Sequence, residues 1–85
     1  MIINKELPDY DNNKRFQYVW ENNFTIAVEK DQDSVVISAN KEGLESLAWQ
    51  LLMLSQKDFP VNTHLHYDEY NSLEEGSIEL IINKI

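Results

Sequence analysis

His64 and His66 flank Leu65, so an extended backbone places both imidazoles on one side, a spacing that many zinc sites use. Asp68 extends the pattern to His-x-His-x-Asp, and the carboxylate of Glu79 offers a further weak ligand. Two-metal hydrolytic centres that begin this way need more histidines from a larger scaffold, and this chain has only two. A short motif without that context predicts no metal site. Nucleophilic chemistry is no better supplied. Ser34, Ser38, Ser46, Ser55, Ser72 and Ser77 lie outside any Gly-x-Ser-x-Gly elbow, and Gly43 and Gly76 alone form no phosphate-cradling loop. The absence of cysteine removes thiolate ligands, thiol nucleophiles and disulfides together. The sequence predicts no enzyme and no cofactor.

The chemistry that remains is electrostatic. The chain carries 15 acids against 7 bases, a net charge of −8. Nearly all of the excess lies between residues 42 and 83. There Glu42, Glu45, Asp58, Asp68, Glu69, Glu74, Glu75 and Glu79 meet a single base, Lys57. Asp68-Glu69 and Glu74-Glu75 fall in a polar stretch where water solvates them, which suits attraction of a partner better than proton transfer. Scattered bases build no positive stripe, so neither nucleic acid nor an anionic membrane surface is an expected partner. A basic protein surface is favoured. The bland reading of the same charge is solubility, which accounts for acidity in many proteins.

Eighty-five residues suffice for one domain. Residues 1–14, with Pro8 and the run Asp9-Tyr10-Asp11-Asn12-Asn13, are expected to form a loosely ordered lead-in to a single domain over 15–85. Phe16, Tyr18 and Trp20 alternate with Gln17, Val19 and Glu21, predicting a strand. Phe24, Ile26 and Val28 predict a second after a turn at Asn22-Asn23. Val35-Val36-Ile37 is apolar on both faces, which predicts a strand near the middle of a sheet. Asn40 is a preferred N-cap, Glu42 suits the first turn of the helix, Lys57 suits its end, and Pro60 stops it. Leu44, Leu47, Ala48, Leu51 and Leu54 share one face of that helix, expected to be the buried one. Thr63, Leu65 and Tyr67 then alternate, as do Ile78, Leu80 and Ile82, on either side of the polar loop 68–76. The expected order is β-β-β-α-β-β, an α+β fold with one helix packed on one face of a mixed or antiparallel sheet. The start of the chain has no apolar signal-peptide core, and its longest apolar run is Leu51–Leu54. A cytoplasmic location is expected.

Trp49 and Met53 stand four apart, roughly opposite Leu44 and Leu51, so they are expected to face outward. A tryptophan and a methionine stacked there would anchor a partner or a second copy. The alternative is that the amino-terminal segment folds back and covers them.

Asn40-Lys41-Glu42-Gly43-Leu44-Glu45-Ser46-Leu47-Ala48, with the leucine-rich remainder of the helix, resembles the bacterial immunity protein 32 family. The resemblance continues through Thr63-His64-Leu65-His66 and through Leu73-Glu74-Glu75-Gly76-Ser77-Ile78-Glu79-Leu80-Ile81-Ile82. It covers roughly the second half of the chain, fits the strand before Asn40 more loosely, and leaves residues 1–20 untouched. What it implies is a non-enzymatic inhibitor from a polymorphic toxin system that binds and neutralises a cognate toxin domain. Joined to the charge pattern, it points to Asp68, Glu69, Glu74 and Glu75 as the docking surface, with His64 and His66 beside them. Trp49 and Met53 are the second choice. The competing reading is a self-associating, homodimeric domain with no toxin partner, and metal binding at His64 and His66 ranks below both.

Overall fold

The computed structural model describes residues 1–85 and contains four strands and one helix. Strand β1 (Ile26–Asp31) and strand β2 (Ser34–Ala39) form an antiparallel hairpin in register from Ile26↔Ala39 to Asp31↔Ser34. Gln32 opens its two-residue turn at φ 54°, the left-handed conformation that hairpin turns demand. Helix α1 (Lys41–Leu54) follows directly. Strands β3 (His64–Tyr67) and β4 (Leu80–Asn83) make a second antiparallel hairpin, paired from His64↔Asn83 to Tyr67↔Leu80.

The α+β class stands, but with four strands in two separate sheets where five strands in one were expected. The missing strand is Phe16–Glu21. Its backbone groups go to helix side chains instead of a neighbouring strand. The Val19 carbonyl accepts from Gln50 Nε2 at 3.0 Å, and the Glu21 amide donates to Ser46 Oγ at 2.8 Å. The two hairpins are joined through the segment before β4. Glu74 and Ile78 donate their amides to the Ile26 and Val28 carbonyls at 2.8 and 2.9 Å. Gly76, at φ 87°, turns the chain between those two bonds and prevents a longer ladder.

Asn40 caps the helix as its type predicts. Its Oδ1 accepts from the Gly43 amide at 2.7 Å and from the Thr25 amide at 3.0 Å, so one side chain fixes both the helix start and the entry to β1. A Cβ on Gly43 would lie 2.4 Å from the Thr25 carbonyl oxygen; only glycine lets the helix sit this close. At the other end no basic residue lies in the last turn. Lys84 takes the role expected of Lys57, donating to the Gln56 and Phe59 carbonyls at 2.7 and 2.8 Å.

The helix is rotated from the predicted orientation. Its buried residues are Gly43, Ser46, Trp49, Gln50, Met53 and Leu54, whereas Leu44, Leu51 and Leu52 are about half exposed. The leucine stripe lost because the partner of this face is irregular backbone. Val19 and Glu21 present a carbonyl and an amide that only polar side chains satisfy, and Ser46 and Gln50 supply them. No buried side-chain nitrogen or oxygen is left without a hydrogen bond. Around this contact Ile26, Val28, Leu54, Phe59, Leu65, Tyr67 and Leu73 form the core. Aromatic rings from the amino-terminal segment close over it, with Tyr10 and Phe16 against Phe59, and Tyr18 and Trp20 edge-on to Tyr67.

The apolar run in β2 also differs from its expected setting. Val35, Val36 and Ile37 are 59%, 41% and 43% exposed, on a strand whose only strand neighbour is β1.

Candidate functional site

The loop between β3 and β4 is built by Asp68. Its carbonyl accepts from the Ser72 and Leu73 amides at 3.1 and 2.8 Å, and its carboxylate accepts from the Tyr70 and Asn71 amides at 2.9 and 3.1 Å. Asn71 answers by accepting from the Asp68 amide at 3.1 Å. This is the self-bonding that makes aspartate and asparagine turn formers. Leu73 then drops into the core at 5% exposure and anchors the loop from below.

The other three acids of the loop stand in water. Glu69 accepts from the Gly76 amide at 2.9 Å, which folds the loop back on itself. Glu69, Tyr70 and Glu75 border an open hollow of about 350 Å³, with Tyr70 91% exposed. Glu74 and Glu75 are exposed. The ion pairs of the molecule are Lys5–Glu21, Lys41–Glu45 and His66–Glu79, and none includes Asp68, Glu69, Glu74 or Glu75.

His64 and His66 lie on the exposed face of β3, with ring centroids 4.9 Å apart. His66 Nδ1 is 3.5 Å from Glu79 Oε2, and His64 Nδ1 is 2.9 Å from the Asn62 carbonyl. No three His, Asp or Glu side chains converge closely enough to hold a metal ion. Asp68, the third member of the His-x-His-x-Asp pattern, spends its carboxylate on the loop amides.

Trp49 and Met53 do not face outward. They are 8% and 1% exposed, and Lys5 and Glu21 of the amino-terminal segment fold back onto Trp49. Trp49 Nε1 donates to Glu21 Oε2 at 3.1 Å, and Lys5 Nζ, 3.0 Å from the same oxygen, stands 5.7 Å over the indole ring. Hydrogen bonds from Lys5 and Trp49 hold the Glu21 carboxyl below its ordinary value. In the core, burial pushes the Tyr67 phenol far above its ordinary value, so the hydroxyl remains a donor to Gln50.

Sequence reasoning placed the acids and the two histidines on neighbouring surface elements, and the structure adds Tyr70, exposed on the same loop, to the candidates. Its signal was present: a tyrosine inside a run of turn formers, with no apolar residue two positions away on either side to share a strand face. Tyrosine exposed at a loop tip has the apolar body and polar end that protein interfaces favour.

The family model for immunity protein 32 matches residues 34–85, more than half of the chain, and the chain belongs to that family. Membership makes it a non-enzymatic inhibitor and implies neutralisation of a toxin. The match takes in β2, the helix and the β3–β4 hairpin, and leaves β1 and the amino-terminal segment outside. Neither the curated proteins nor the solved structures supply a match. No helix is long and apolar enough to cross a membrane.

Proposed function

We propose that this immunity protein acts in the cytoplasm and blocks its cognate toxin by docking the loop Asp68–Glu75 on a basic face of that toxin. The observation that carries the reading is the exposed pair Glu69 and Glu75 bordering one hollow with Tyr70, with exposed Glu74 next in the chain and none of the three acids in an ion pair. Unneutralised carboxylates draw in a cationic partner over distances beyond contact and repel acidic competitors. Tyr70 then supplies contact area at the centre of the charged rim. Because Asp68 and Leu73 fix the loop from within, little ordering entropy is lost on docking. His64 and His66, one strand residue and more upstream, extend the surface along β3.

The test is co-expression with the cognate toxin, sought first as a large toxin gene beside the gene for this chain. Wild-type protein is expected to restore growth, whereas Glu69→Lys, Glu74→Lys and Glu75→Lys combined with Tyr70→Ala is expected to abolish protection while the purified variant keeps its native circular dichroism. Full protection by that folded variant would move the docking surface elsewhere.

A further inference from the structure

The outer edge of β2 is bare. A two-residue turn makes Asp31↔Ser34 a hydrogen-bonded pair, so Ser34, Val36 and Ser38 turn their backbone groups toward β1. The amides and carbonyls of Val35 and Ile37 point the other way and take no backbone partner. Natural edge strands are shielded by lysine, proline, a bulge or extreme shortness. β2 has none of these: it is six residues long and reads Ser-Val-Val-Ile-Ser-Ala.

We infer that this edge pairs with the β2 edge of a second copy of the chain, joining two hairpins into one four-stranded sheet about a two-fold axis at Val36. The outward groups lie symmetrically about Val36, so the strand complements itself. Antiparallel pairing sets Val35 opposite the second copy's Ile37, and Ile37 opposite its Val35, with both bonds made in each pair. On the opposite face Val36 meets the second copy's Val36. Pairs of β-branched residues are favourable cross-strand neighbours.

Charge selects the occupant. A basic toxin finds no carboxylate on β2, so nothing steers it here. Two copies, each at −8, are repelled almost everywhere else, yet meet at this edge without opposing acids. Glu29 and the second copy's Glu29 would stand three strand spacings apart, roughly 14 Å, beyond a Debye length of about 8 Å at physiological salt. The same register sets Asp33 opposite the second copy's Ala39, one residue before the Asn40 cap. An acid is favoured near that helix N-terminus. The dimer leaves the toxin-facing loop free, because Glu74 and Ile78 bond to the opposite edge of β1. Val35, Val36 and Ile37 are each about half exposed, and covering them on both copies together with the strand backbone forms a small, reversible interface.

Light scattering of the purified chain tests this. Wild-type protein at 100 μM (roughly ten to a hundred times the micromolar dissociation constant expected of a small interface) should show twice the 10.0 kDa chain mass. Val36→Lys places two lysines face to face and should give the monomer mass. Ile37→Pro removes one outward amide, leaves every bond to β1 intact, and should do the same. Hydrogen exchange of the unmodified protein gives an independent reading: the Val35 and Ile37 amides should exchange more slowly as concentration rises. A monomeric wild type with concentration-independent exchange at Val35 and Ile37 overturns the inference. So does a dimer that survives both substitutions. Protection of these two amides by the toxin alone, and never by self-association, assigns the edge to the toxin and overturns it as well.

Discussion

The Tyr67 hydroxyl donates to the Gln50 amide oxygen at 2.6 Å, and both side chains are fully buried. The Gln50 nitrogen donates in turn to the Val19 carbonyl, so one glutamine ties β3 and the amino-terminal segment to the helix. Gln50→Leu keeps the volume and leaves the Tyr67 hydroxyl and the Val19 carbonyl without partners. At about 1–3 kcal/mol for each of the two stranded polar groups, urea unfolding is predicted to show a loss of about 2–6 kcal/mol. Wild-type stability in that variant would mean the polar pair does not set the helix rotation.

Gly43 gives a second check on the same contact. Alanine is the better helix former by about 1 kcal/mol, so propensity alone predicts that Gly43→Ala stabilises. Sterics predict the reverse. A Cβ 2.4 Å from the backbone oxygen of Thr25 meets an atom that the Asn40 amide also binds, and neither can move freely. The predicted net loss is about 1–3 kcal/mol, read as a lowered midpoint in thermal unfolding. A raised midpoint would show that the helix start slides to make room.

Glu21 makes stability depend on pH. Its carboxyl is held below the ordinary 4.5 by Lys5 and Trp49, so the folded state favours the ionised form. The contribution is complete above the ordinary value and is lost as pH falls through the depressed one. Glu21→Gln is therefore predicted to be less stable than wild type at pH 7, with the difference shrinking steadily below pH 4.5. Parallel stability curves across that range would place no special interaction at Glu21.

The sequence carried the parts of the fold that depend on local chemistry. Asn40 as a cap, Pro60 after the helix, and the alternation of Leu65 and Tyr67 against His64 and His66 each act through neighbours in the chain, and each is found where expected. The helix orientation was not legible, because it is decided by residues 19–21, about thirty positions from the side chains they satisfy. Periodicity counts leucines; it does not see that an unpaired carbonyl will choose a glutamine. The same blindness turned Phe16–Glu21 into a strand and put Trp49 and Met53 on the outside. Gly43 and Tyr70 show the reverse case, where an odd residue in the sequence marked a feature that only the tertiary setting explains. In β2 the apolar pattern was right and its burial was wrong, since β2 is an edge strand with β1 as its one strand neighbour, and composition does not tell an edge from a centre.

The acidic loop leads to a kinetic prediction that separates attraction from contact. Glu74 and Glu75 are exposed and outside every ion pair, so under the proposed docking they would act on an approaching basic toxin mainly through the long-range field. Glu74→Lys with Glu75→Lys is predicted to slow association by about ten-fold or more at low salt, with a smaller effect on dissociation. Raising ionic strength should shrink the gap between variant and wild type. Tyr70→Ala removes contact area without charge, and is predicted to speed dissociation by about ten-fold while leaving association nearly unchanged. Stopped-flow association and chase experiments with the cognate toxin measure both rates. If charge reversal left the low-salt association rate unchanged, the field of this loop would have no part in capture, and Tyr70 would have to be tested as an isolated contact.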